Sequence, residues 1–168
     1  MSFIDGLHFA KEEEKCMASS ATKIFNLKPH HCGISVPDLE ASIAWYRDML
    51  GFSLKTRITL EKMGAKIGFM RHGDFQIELF EVPGASPLPD DRRYPNRDIL
   101  THGTKHIAFK VEDLKGVVDV LKERGVDIAM DVKKMPDGKV AFIRDNAGTL
   151  IELLEPISPQ VGKVSKYK

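Results

Sequence analysis

His31-Cys32-Gly33-Ile34-Ser35-Val36-Pro37-Asp38-Leu39 and His106-Ile107-Ala108-Phe109-Lys110-Val111-Glu112-Asp113-Leu114 are two copies of one pattern, with His, Val, Asp and Leu coinciding at an offset of 106 − 31 = 75. A second match follows: Ile77-Glu78-Leu79-Phe80-Glu81 lies over Ile151-Glu152-Leu153-Leu154-Glu155, at an offset of 152 − 78 = 74. Since 78 − 31 = 47 and 152 − 106 = 46, the His-to-Glu spacing is nearly conserved between the halves. An internal repeat of this size means one supersecondary unit used twice, each too small to cover its own apolar face.

Each copy reads as a strand, a helix and three more strands. Cys32, Ile34 and Val36, and likewise Ile107, Phe109 and Val111, form the apolar rows of alternating first strands, which leaves both histidines on the opposite rows. Helices are predicted over about 39–50 and 114–124. Asp38 and Asp113 are the candidate N-caps, and Gly51 and Gly125 the C-terminal stops. Leu39, Ile43, Tyr46 and Leu50 make one apolar face, and Leu114, Val117, Val118 and Leu121 the other. Strands are expected over 52–58, 66–71 and 75–82, then over 126–132, 140–144 and 149–154, with hairpin turns at His72-Gly73-Asp74 and Asp145-Asn146-Ala147-Gly148. The fold class is α+β: two paired βαβββ modules forming a curved, barrel-like mixed sheet. The expected layout is an extension over 1–27, a single domain over 28–156 and a flexible tail over 157–168. Within the domain, module 1 covers about 28–83, a linker 84–100, and module 2 about 101–156.

Composition excludes several other classes. The 168 residues are 42% apolar and 29% charged, which suits one ordinary folded domain. Lys plus Arg is 25 against 24 for Asp plus Glu, so no excess positive field exists to hold a nucleic acid. Apolar runs fall far short of the roughly 20 residues that span a bilayer, so no membrane partner is expected. The first 27 residues lack a secretory apolar region and carry Glu12-Glu13-Glu14, which argues against a mitochondrial transit peptide and makes cytoplasm the expectation. Cys16 and Cys32 are read as reduced thiols.

Alternation places Glu78 and Glu152 on strand faces opposite to Ile77, Leu79, Ile151 and Leu153, the residues that turn toward the helices. A carboxylate between Ile and Leu inside a strand is poorly solvated and needs a partner. One such His or Glu is ordinarily a structural or solvated residue. Repetition of both, on matched strands and at matched spacing, points instead to a divalent metal held by His31, Glu78, His106 and Glu152, with two positions open for vicinal oxygens of a substrate.

These segments identify the chain as a member of the vicinal oxygen chelate superfamily, the glyoxalase I, methylmalonyl-CoA epimerase, extradiol dioxygenase and bleomycin-resistance group. The carrying stretches are HHCGISVPDLEASIAWYRDMLGF and FQIELFEVPG in one half, then GTKHIAFKVEDLKGVVDVLKERGV and AFIRDNAGTLIELLEP in the other. The resemblance implies metal ligands at His31, Glu78, His106 and Glu152, a divalent ion (Zn, Ni, Co, Fe or Mn), and a small-molecule substrate with vicinal oxygens. It further implies a homodimer, although modules of the family pair either within a chain or across two. The implied reaction is that of a lyase or isomerase proceeding through an enolate, with Glu152 as ligand and base and Glu61 as a second base. An Fe(II) extradiol-type dioxygenase and a non-catalytic, ligand-sequestering resistance protein are the alternatives. Among the cations, Arg71 and Arg144 are candidate substrate contacts, and His102 is a candidate at the site entrance.

Overall fold

The computed structural model describes residues 28–157, and the compact unit begins at His31. The extension over 1–27 and the tail beyond Ile157 lie outside the described residues. In the first half, β1 (His31–Ser35) leads into α1 (Leu39–Leu50), followed by β2 (Ser53–Leu60), β3 (Ala65–His72) and β4 (Phe75–Glu81). The second half repeats the order with β5 (Ile107–Lys110), α3 (Leu114–Glu123), β6 (Asp127–Met135), β7 (Gly138–Arg144) and β8 (Leu150–Pro156). Between them, 84–100 is not featureless: Pro89 leads into a 3-10 turn over Asp90–Arg93, and Pro95 starts a one-turn helix, α2 (Pro95–Asp98).

The chain forms two four-stranded mixed sheets, ordered β1-β4-β3-β2 and β5-β8-β7-β6. In each, the first strand runs parallel to the last and the remaining pairs are antiparallel. The parallel pairing follows from the connectivity, because a strand that leaves through a helix and returns by hairpins meets its partner in the same sense. Sheet 2 bulges twice along β6, where register shifts separate Ile128 from Met130 and Met130 from Lys133.

Both long helices start by the same devices. Asp38 Oδ1 accepts from Ala41 N at 2.9 Å and Asp113 Oδ1 from Gly116 N at 3.0 Å. A second carboxylate reinforces each start from the last strand of its module. Glu81 accepts from Leu39 N at 2.8 Å and from Lys66 Nζ at 2.7 Å, while Glu155 accepts from Leu114 N at 2.8 Å and from Lys139 Nζ at 2.6 Å. The ammonium first, and the helix N–H second, hold both carboxyls below their ordinary range. Gly51, at φ 71°, closes α1 in the left-handed conformation that only glycine adopts freely.

One apolar core serves both modules. Ile34, Leu39, Tyr46, Met70, Ile77 and Leu79 of the first join Leu114, Val118, Ile143, Ile151 and Leu153 of the second in a single buried cluster. Gly68 lets α1 lie close to its sheet, since a Cβ there would stand 3.1 Å from Leu39 Cδ1 and 3.2 Å from Ile43 Cδ1. Across the seam, Tyr46 Oη donates to Asp145 Oδ2 at 2.9 Å, and Asn146 Nδ2 donates to Ser42 Oγ at 3.0 Å. Burial pushes the Asp145 carboxyl above its ordinary value, against four hydrogen-bond donors that pull it down. Burial and then the Asp145 charge push the Tyr46 hydroxyl well above its own. No helix of the described residues is long and apolar enough to cross a membrane.

Candidate metal half-sites and their surroundings

Strand register determines which side chains leave the core. Cys32 pairs with Ile77 and Ile34 with Leu79, so those residues point to the helices, while Gly33 pairs with Glu78 on the opposite face. The second sheet repeats this, with Ile107 opposite Ile151 and Phe109 opposite Leu153 on the core side, and Ala108 opposite Glu152 on the outer face. His31 Nε2 stands 3.1 Å from Glu78 Oε2, and His106 Nε2 stands 2.9 Å from Glu152 Oε2. All four side chains are partly exposed.

Each pair has an aromatic wall. Phe69 is the cross-strand neighbour of Glu78 and meets the His31 ring edge to face at 6.4 Å and 83°; Phe142 is the neighbour of Glu152 and meets His106 at 5.1 Å and 88°. Sequence reasoning about ligands missed these two phenylalanines. Their signal was available, because they occupy equivalent places on matched third strands at an offset of 142 − 69 = 73.

The halves differ where the first strand passes the fourth. Gly33 has no room for a side chain, since a Cβ would stand 2.9 Å from Phe80 Cε2. The equivalent residues in module 2 are Ala108 and the smaller Leu154.

Each pair supplies one imidazole nitrogen and one carboxylate oxygen, a donor set suited to a divalent transition metal. The described residues contain no group of three or more His, Cys, Asp or Glu side chains placed to share one ion. Within one chain, therefore, the structure brings His31 to Glu78 and His106 to Glu152, and leaves the two pairs as separate halves.

The remaining candidates lie elsewhere. Glu61 is exposed in the turn joining β2 to β3, where its carbonyl accepts from Gly64 N at 3.2 Å. Arg71 shares a cross-strand row with Gln76 and His31, but its Nε donates to Gly73 O at 2.7 Å within its own turn. Arg144 is buried and structurally engaged: Nε donates to Arg93 O at 2.6 Å, Nη1 to Asp127 Oδ1 at 2.8 Å, and its guanidinium lies over the Tyr94 ring at 5.0 Å. It anchors the inter-module segment. His102 is exposed in the loop ahead of β5. A cavity of about 960 Å³ opens at the far ends of β1 and β4, lined among others by Ser35, Glu81, Pro83, Pro87, Arg93 and Asn146, and neither His–Glu pair borders it.

Comparison with known proteins agrees with this architecture. Residues 28–153 match the model of the Glyoxalase/Bleomycin resistance protein/Dioxygenase superfamily. Human mitochondrial methylmalonyl-CoA epimerase is 29% identical over 135 residues, covering 77% of this chain and 75% of the relative. The ethylmalonyl-CoA/methylmalonyl-CoA epimerase of Cereibacter sphaeroides is 33% identical over 131 residues, covering 74% and 94%. Among solved structures, the trypanothione-dependent glyoxalase I of Leishmania major superposes with a TM-score of 0.60 at 27% identity, covering 77% of this chain and 87% of that one. With its duplicated βαβββ plan and a family match over most of its length, the chain belongs to the glyoxalase/bleomycin resistance/dioxygenase superfamily.

Proposed function

We propose that this protein is a divalent-metal-dependent isomerase or lyase acting on a small molecule with two vicinal oxygens, and that two copies of the chain complete its site. His31 and Glu78 of one protomer would hold the ion together with His106 and Glu152 of the partner subunit. The observation that carries this reading is the duplicated His–Glu pair: two half-shells of identical chemistry, each built by its own module and, among the described residues, short of a full ligand set alone. A symmetric pair of copies supplies the missing half twice over.

A bound divalent ion supplies Lewis-acid polarisation of a substrate carbonyl. The chain's own residues account for the rest. Glu152, on a central strand beside His106, takes up the proton from the carbon next to that carbonyl. Phe69 and Phe142 restrict water on the flanks of the histidines. Glu61, exposed in the turn between β2 and β3, would serve as the second base. The epimerases and the glyoxalase I among the relatives favour proton transfer over oxygen insertion.

Solvent deuterium wash-in to 2-oxo, 2-hydroxy and acyl-CoA compounds tests the reaction; uptake at a carbon adjacent to a carbonyl is expected. Substrate-dependent oxygen consumption with bound Fe(II) would overturn it in favour of a dioxygenase, and absence of any tightly held divalent ion in favour of a binding protein. Subunit mixing tests the assembly. His31→Ala and His106→Ala homodimers should each be inactive, while random re-association of the two should restore about a quarter of wild-type sites, because half the dimers become mixed and each mixed dimer has one intact site. Persistent inactivity of demonstrably mixed dimers refutes the shared site.

A further inference from the structure

The two outer faces are alike at the His–Glu pairs and differ one row away. In sheet 1, the row beyond Glu78 is Ser35, Phe80, Ile67 and Ile58, and it carries no charge. In sheet 2 the corresponding row is Lys110, Leu154, Val140 and Lys133. Lys110 stands where module 1 has Ser35, and Lys133 where it has Ile58, both at an offset of 75.

Register puts both lysines on the face of Glu152. Lys110 is the neighbour of Leu154 and Lys133 of Val140, and Leu154 and Val140 are neighbours of each other, two residues along their strands from Glu152 and Phe142. The lysines bracket the row from its ends, about 14 Å apart at the backbone, with four-carbon stems able to lean inward over the two aliphatic side chains. Of the other lysines of this module, Lys105 pairs with Asp98, Lys115 with Asp119, Lys122 with Asp131 and Lys139 with Glu155, while exposed Lys134 lies in the row of Lys139, on the opposite face of the sheet. Among the described residues, Lys110 and Lys133 take part in no ion pair. Lys133 is nevertheless half-buried, which leaves a cation over apolar surface without a counter-charge.

We infer that Lys110 and Lys133 form a subsite for a second anionic group of the substrate, a carboxylate or phosphate carried about 7 Å from the metal-chelating oxygens, the distance that two residues of strand impose. The inference rests on the metal-site reading above, since it takes Glu152 as the origin from which that separation is measured. Module 1 has no equivalent, so the subsite gives a pseudo-symmetric site a direction: the chelating oxygens enter with the anionic tail toward module 2.

Equilibrium binding of two matched pairs of small acids tests this, using cobalt-loaded and metal-stripped protein. 2-Oxoglutarate is compared with 2-oxobutyrate for a carboxylate tail, and 3-phosphoglycerate with glycerate for a phosphate tail. In the loaded wild type, at least one charged-tail acid should bind about tenfold more tightly than its uncharged partner, as expected for charge-assisted contacts to two ammonium groups. Lys110→Met/Lys133→Met keeps the aliphatic stems and should abolish that preference, with affinity for the uncharged-tail acid and the melting temperature unchanged. A wild type without preference in either pair, or a double variant that retains it, overturns the inference. Failure of the metal reading has a different signature: the lysine-dependent preference survives, but stripping the metal leaves the affinity for every acid unchanged.

Discussion

Replacing Tyr46 with Phe removes one hydroxyl and tests whether the two modules are locked together by a buried polar contact. Tyr46 is fully buried, Asp145 is 4% exposed, and the O–H donates to the carboxylate at 2.9 Å. With both partners buried, the loss should approach that of a hydrogen bond to a charged group, about 2 kcal/mol. For a domain of this size that lowers the melting temperature by roughly 6 °C. Asp145→Ala should cost more, about 3–5 kcal/mol, because Oδ1 also accepts from Ala147 N at 2.9 Å and Thr149 N at 2.8 Å, and both donors would be stranded. Asp145→Asn, which keeps an acceptor for those donors, should recover most of that difference. The double variant Tyr46→Phe/Asp145→Ala should be little worse than Asp145→Ala, giving a coupling of about 2 kcal/mol in the cycle. The pH dependence has a definite sign. Burial raises the Asp145 carboxyl in the folded state, so its contribution to stability is complete below the unfolded value and declines as pH rises through the folded one. Tyr46 opposes that rise, and its loss moves the folded value further up. The deficit of Tyr46→Phe should therefore be larger at pH 7 than at pH 4. Thermal and urea melts at both values measure it. A Tyr46→Phe protein within about 0.5 kcal/mol of wild type, or additive costs in the cycle, refutes the lock.

Other substitutions address the site and the helix starts. His106→Ala should lose the divalent ion by elemental analysis, whereas Glu152→Gln should abolish turnover with a smaller loss of metal; full metal content in His106→Ala refutes the ligand assignment. Glu61→Gln should slow deuterium wash-in without changing metal content, and an unchanged rate removes Glu61 from the mechanism. Glu155→Gln should flatten the acid limb of the stability curve: a carboxyl lowered by Lys139 and the Leu114 N–H stabilises above its unfolded value and loses that contribution as pH falls through the folded one. A loss of stability between neutral pH and about pH 3 as large in Glu155→Gln as in wild type would contradict that. Gly33→Ala should cost about 1–2 kcal/mol through displacement of the Phe80 ring, visible as a shifted ring resonance, while Ala108→Gly should cost less than 1 kcal/mol.

Much of this architecture was legible in the sequence because it was written twice. Asp38 and Asp113 cap the helices they were expected to cap, and α1 runs over Leu39–Leu50 as its apolar spacing implied. Strand ends were less legible: β6 continues to Met135, beyond the expected 132, because bulges break the alternation that marks a strand. The helical turns at Asp90–Arg93 and Pro95–Asp98 are too short to carry periodicity, and they are held by long-range contacts such as Arg144 to Arg93 O. Alternation could place His31 and Glu78 on one face of their strands, but the meeting of each histidine with the glutamate of its own module depends on parallel pairing between strands forty-odd residues apart. Nothing local to either strand encodes the separation of the two pairs, which is a property of how the modules pack.

The last strand of each module carries two glutamates three positions apart, Glu78 with Glu81 and Glu152 with Glu155, and odd spacing sends them to opposite faces. One joins the histidine; the other pins the first N–H of the helix. A one-residue slip of that strand would turn the histidine-facing carboxylate into the apolar core and withdraw the helix anchor in the same movement. Correct threading of β4 and β8 is thus proofread from both sides of the sheet, and a module whose helix is anchored has already aimed its other glutamate at the histidine.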